Sequence, residues 1–141
     1  MSGEKYLARI ALISLAFLVL YSTLWGIGVP MVYSGAWTEI GLPSRFADMI
    51  RNVPVSHLPA GYALVAAYVG ALTAFIGRNA ISLAFLAVGF LLHLVIWILL
   101  IGNPAANTEI GYLVILVEAI GGLALGTLMV RDYFKTSRHS N

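Results

Sequence analysis

The chain contains no cysteine. Disulfide exchange, iron–sulfur clusters, cysteine-type zinc sites and thiol nucleophiles are therefore excluded. Charge is scarce as well. Only 10% of the 141 residues are Asp, Glu, Lys or Arg, against about 25% in an ordinary soluble domain. The net charge is +2, yet the cations are scattered, with no cluster dense enough to track a phosphate backbone. Nucleic acid is not an expected partner. The sequence also lacks a glycine-rich phosphate loop, an H-E-x-x-H and a G-x-S-x-G stretch. With no carboxylate pair and no nucleophile–base set, nothing points to a specific reaction, and an enzyme is not the expected reading.

The chain is instead rich in apolar surface. Hydrophobic residues make up 60% of it, and the mean hydropathy is +0.92. A spanning helix needs roughly 20 apolar residues to cross a hydrocarbon core of about 30 Å. Four stretches reach that length, at about 6–27, 58–76, 80–101 and 110–130. Barrel strands would alternate over about 10 residues instead. The expected fold class is an all-α integral membrane protein, with residues 1–141 as a single membrane domain. Its four transmembrane helices form an antiparallel bundle. The first stretch follows Lys5 and Arg9 as a signal peptide would. Tyr21-Ser22-Thr23-Leu24-Trp25 offers no small-residue cleavage site, so the stretch reads as an uncleaved anchor.

Charge placement sets the expected orientation. An even number of spans puts Lys5, Arg9, Arg78, Arg131, Lys135 and Arg138 on one side. The opposite side has Arg45 and Arg51, balanced by Glu39, Asp48 and Glu109. The positive-inside rule then places both termini, including the tail 131–141, in the cytoplasm of a bacterial inner membrane. Gly77-Arg78-Asn79 is so short a link that the second and third spans must form a hairpin. Pro104 stops the third span. Asn107 or Thr108 can cap the fourth, where Glu109 complements the positive helix end.

The longest connection, about 28–57, is rich in Gly, Pro and aromatic residues. Within it, 44–53 has helical periodicity. Phe46, Met49, Ile50 and Val53 share one face; Arg45, Asp48, Arg51 and Asn52 fill the other. This is a short amphipathic helix, either lying in the membrane interface or capping the ends of the spans. Trp25, Tyr33, Trp37 and Trp97 belong near the outer boundary, where aromatic belts form.

Helices in lipid associate through close contact between small residues. Ala63, Ala66, Ala67, Gly70, Ala71 and Ala74 make the second span the expected centre of packing. Gly122 and Gly126 form a G-x-x-x-G, which packs either inside the chain or against another subunit. Gly70, Gly77 and Arg78 resemble part of the DoxX-like group of small four-helix membrane proteins. That group carries a Glu ahead of the glycines, where this chain reads Ala66-Ala67-Tyr68. No function is carried over from the resemblance.

Two ionisable residues fall deep in the spans, His93 and Glu118. Counted from the outer ends of their spans, both lie roughly 12 Å below the boundary at 1.5 Å per residue. A buried His93–Glu118 pair is the expectation, with Tyr21, Ser22 and Tyr68 at similar depths to complete a network. Such a pair serves proton transfer or ligand binding, or it fixes helix register. A haem held by two histidines is disfavoured, since His57 and His139 lie at other levels. No cofactor is expected, the one alternative being a pigment magnesium on His93, with Gly89 giving room for a macrocycle. The leading functional expectation is a non-catalytic accessory or scaffold subunit, its partners being the lipid bilayer and other membrane subunits or a second copy. One alternative is a small proton-coupled transporter using the pair. The other is a lipid- or quinone-binding protein, with its headgroup site at His57 and Arg51 and its ligand beneath the 44–53 helix.

Overall fold

The structure is a computed structural model and describes residues 2–41, 44–51, 53, 55–99 and 109–134. It is all-helical over that range. The elements are α1 (Ser2–Ser34), α2 (Ala36–Glu39), α3 (Ser44–Arg51), a 3-10 turn (Val55–His57), α4 (Leu58–Ile76), α5 (Ile81–Leu99) and α6 (Glu109–Val130). Four of them, α1, α4, α5 and α6, are long and apolar enough to cross a membrane.

Large apolar side chains line the outside as well as the core, and a few polar ones are buried among the apolar residues inside. Ile13, Leu20, Leu24, Leu91, Leu116 and Leu123 face outward, while Ser14, Ser22, Ser82, His93 and Glu118 are buried. A contiguous apolar exterior of this kind is unstable in water and at ease in lipid.

α1 differs most from the sequence expectation. It has 33 residues and runs through Pro30, where the chain was expected to leave the helix after residue 27. At 1.5 Å per residue it is about 50 Å long, well beyond the hydrocarbon thickness. Proline has no N–H for the carbonyl four residues earlier, here that of Gly26. The Tyr62 hydroxyl on α4 donates to this carbonyl at 3.5 Å. The extension is also covered. Ala47 and Ile50 pack against Val29 and Val32, with Trp25, Trp37 and Leu58 around them. Gly35, at φ 84, turns the chain away from α1 into α2. α3 ends at Arg51, short of the expected residue 53; Ile50 and Val53 are buried as expected, the latter beyond the helix, and Ala47 is buried as well. The side chains of Phe46 and Met49 lie outside the described residues, as do 100–108 with Pro104, Asn107 and Thr108, and the tail from Lys135 onward.

The α4–α5 turn shows how the sequence ends one helix and starts the next. The Arg78 and Asn79 N–H groups close back on the carbonyls of Phe75 and Ala74, at 2.9 and 2.8 Å. This requires Arg78 to take a positive φ of 51, a helix-ending conformation more often given to glycine. Asn79 Oδ1 then accepts the Ile81 N–H at 3.1 Å and caps α5.

α1 packs against α4 and α6, and α5 packs against the same two helices. Glycines set the close approaches. The Tyr68 ring of α4 lies on Gly89 of α5, and the Phe85 ring of α5 lies on Gly70 of α4. Residue numbers thus rise on one helix as they fall on the other. Trp97 covers Gly111, and Ser14 meets Gly121. Among the described residues, nothing lies within 4 Å of a Cβ placed on Gly122 or Gly126, so of the two placements open to the G-x-x-x-G these residues favour the outward one. The inward stripe of α6 is Val114, Glu118, Gly121, Leu125 and Leu128, and Gly122 lies one residue off it, about 100° around the helix. On α4, Ala67 and Ala71 are buried while Ala63 and Ala66 are exposed; α4 packs against both α1 and α5.

A built Cβ at Gly89 would sit 2.5 Å from Tyr68 Cε1. Gly89→Ala should therefore cost about 1–3 kcal/mol through overpacking. Gly122→Ala should change the stability of the isolated chain by less than about 0.5 kcal/mol. Thermal unfolding in detergent measures both, and equal tolerance at the two positions would contradict the packing.

Candidate functional site: a buried Tyr–Glu–His cluster

The carboxylate of Glu118 sits between helices with both oxygens engaged. The Tyr68 hydroxyl of α4 donates to Oε1. His93 Nδ1 of α5 lies 2.9 Å from Oε2. The two side chains of the pair are only 8% and 1% exposed, for His93 and Glu118 respectively. Three helices thus converge on one carboxylate.

Each group arrives there for a local reason. Ser82, Leu86, Gly89 and His93 form the buried stripe of α5, at intervals of three and four residues. Gly89, one turn before His93, lets the Tyr68 ring lie flat enough on α5 for its hydroxyl to reach Glu118. Glu118 belongs to the inward stripe of α6, one turn from Gly121 and its contact with Ser14 of α1.

Tyr21 of α1 lies close enough to act electrostatically on both Glu118 and Tyr68, and its hydroxyl bonds the Trp25 side chain. Indole N–H only donates, so the tyrosine oxygen accepts. Ser22 is buried but takes no part in the cluster: its hydroxyl donates to the Val19 carbonyl at 3.2 Å, on its own helix. Among the described residues, Ser82 Oγ and His57 Nδ1 are buried without a protein partner.

The chemistry of the cluster follows from its proton count. A carboxylate only accepts, so Tyr68 O–H and His93 Nδ1–H both donate to it. Imidazolium with carboxylate, and neutral imidazole with carboxylic acid, carry the same net charge. A proton moved between Nδ1 and Oε2 would therefore leave the net charge between the helices unchanged.

Both places considered for a ligand are lined by side chains of the chain itself. The space beside Gly89 that a pigment ring on His93 would use is filled by the Tyr68 ring, and Trp97 is turned onto Gly111 and edge-on to Tyr112, 4.9 Å between centroids. The surface beneath α3, expected to shelter a quinone or lipid, is occupied by Val29 and Val32. Arg51, expected at a headgroup site, instead pairs with Asp48 at 3.6 Å on the exposed side of α3.

Comparison of the chain with protein-family models, curated proteins and solved structures finds no match. The class of protein is therefore read from its own residues. Four long apolar helices, with apolar side chains exposed along them, mark it as a multi-pass α-helical membrane protein.

Tyr68→Phe leaves Oε1 without its donor and should cost about 1–3 kcal/mol. His93→Leu leaves a buried carboxylate uncompensated and should cost more, about 3–5 kcal/mol. Ser22→Ala, which removes only a bond within its own helix, should stay within about 0.5 kcal/mol. Reversible unfolding in mixed micelles ranks the three, and a Ser22→Ala loss as large as that of His93→Leu would contradict the assignment.

Proposed function

We propose that this chain is a small, non-catalytic subunit of the bacterial inner membrane that serves as an interaction partner for other membrane helices. Its four long helices form an antiparallel bundle with both termini in the cytoplasm. The α1 extension, α2 and α3 make a cap at the outer boundary, with α3 lying along the interface. The single observation that carries the reading is the Gly122–Gly126 notch. Gly70, Gly89, Gly111 and Gly121 are each filled by a side chain of the same molecule, whereas among the described residues nothing lies within 4 Å of a Cβ placed on Gly122 or Gly126. Small residues three or four apart on an outward face allow another helix to approach closely. The ionisable cluster, by contrast, has its carboxylate satisfied internally, which suits a register pin better than a substrate site.

Native mass in mild detergent, with identification of co-purifying proteins, tests this. The expected result is a complex with stoichiometric membrane subunits or a second copy. Gly122→Leu with Gly126→Leu should abolish it while leaving the unfolding temperature of the chain unchanged. A monomer without partners would contradict the proposal.

A second reading, a proton-coupled transporter, is favoured by one observation: two ionisable side chains, His93 and Glu118, meet at 2.9 Å and are buried within the long apolar helices. In that case Glu118→Gln abolishes proton-driven uptake in reconstituted vesicles while the helices stay folded. Under the subunit reading the same substitution leaves complex assembly intact.

A further inference from the structure

We propose that the end of the molecule carrying Lys5, Arg9, Arg78 and Arg131 is a binding surface for the headgroups of anionic phospholipids. The proposal rests on the membrane reading above but not on the identity of any protein partner.

The four cations come from three separate segments and are all exposed. Packing brings these segments to one end. The Arg131 guanidinium lies 3.4 Å from where a Cβ on Gly3 would stand, so it reaches over the first turn of α1. The Arg78 guanidinium sits over the Tyr133 ring, 5.5 Å from its centroid. Tyr133 in turn stacks on Phe75 at 6.3 Å, and Phe134 meets Phe75 edge-on at 6.4 Å. Leu7 and Ala8, between Lys5 and Arg9, pack on the cluster that contains Phe75 and Phe134.

Helix dipoles account for only half of this charge. Arg78 and Arg131 follow the C-termini of α4 and α6, where cations are favoured. Lys5 lies in the first turn of α1, whose N-terminus is the positive end of its dipole and disfavours it, and Arg9, a turn further on, gains nothing from that dipole. The acidic residues at this end, among those described, are Glu4 and Asp132. An external anion is the natural complement. The cations are spread around the helix ends and not gathered into a cleft, and exposed Ile10, Ile76, Ile81 and Val130 border them. A ligand with a phosphate above and acyl chains below meets both features at once. A free phosphate meets only the first.

The test uses the full chain in mixed micelles, titrated with phosphatidylglycerol, phosphatidylcholine or glycerol 3-phosphate, and read by native mass and unfolding temperature. Phosphatidylglycerol should bind about fivefold more tightly than phosphatidylcholine for each cation engaged. The preference should fall as salt rises, and glycerol 3-phosphate should have no effect. Arg78→Gly removes one cation while glycine accepts the positive φ of the turn, so the chain stays folded and the preference should drop. Arg78→Lys should largely retain it. Equal binding of the two lipids, an equal response to glycerol 3-phosphate, or full preference in Arg78→Gly would overturn the proposal. A chain that stays folded and dispersed without detergent would instead sink the membrane reading beneath it.

Discussion

One buried carboxylate constrains the arrangement of the long helices. Glu118 cannot sit among apolar side chains unpaired, because a lone charge there is too costly. Its two oxygens are answered from two different helices, by Tyr68 of α4 and His93 of α5. Sliding α6 by one turn, about 5.4 Å, would break both contacts and strand the carboxylate. The polar cluster therefore supplies what an all-apolar interface in lipid lacks, a penalty for the wrong register. Apolar side chains on the outside of the helices pack about equally well against lipid in any register, so they provide no such discrimination.

The glycines make the cluster reachable. Tyr68 is among the largest fully buried side chains, and it fits only because Gly89 has no Cβ to oppose it. Phe85 on Gly70 repeats the device in the opposite direction between the same two helices. The close α4–α5 contact, the placement of the Tyr68 hydroxyl and the satisfaction of Glu118 are thus one linked set of conditions. At the far end, aromatic packing of Phe75, Tyr133 and Phe134 holds the exit of α6 against the end of α4.

Much of this was legible in the sequence, where physical cost leaves a mark. Long apolar runs gave the four candidate spans, and the limits expected for the second, 58 and 76, are those of α4. The common level of His93 and Glu118 follows from counting residues along neighbouring helices. What could not be read were features decided by tertiary contact. Pro30 and its flanking glycines signal a helix end, yet α1 continues, because Tyr62 answers the freed Gly26 carbonyl and α3 covers Val29 and Val32. The G-x-x-x-G spacing drew attention to Gly122, but the inward glycine is its neighbour Gly121. Spacing identifies a face only when the helix rotation is known, and buried Glu118 and Leu125 were the better guides to it.

The central claim is that Glu118 and His93 act as a coupled pair that fixes the helices. A double-mutant cycle of His93→Leu and Glu118→Leu, followed by unfolding in bilayers, tests it most directly. The account predicts a coupling energy of at least about 1 kcal/mol, with the double variant more stable than the sum of the single losses implies. Losses that add to within about 0.3–0.5 kcal/mol, as independent sites do, would contradict it.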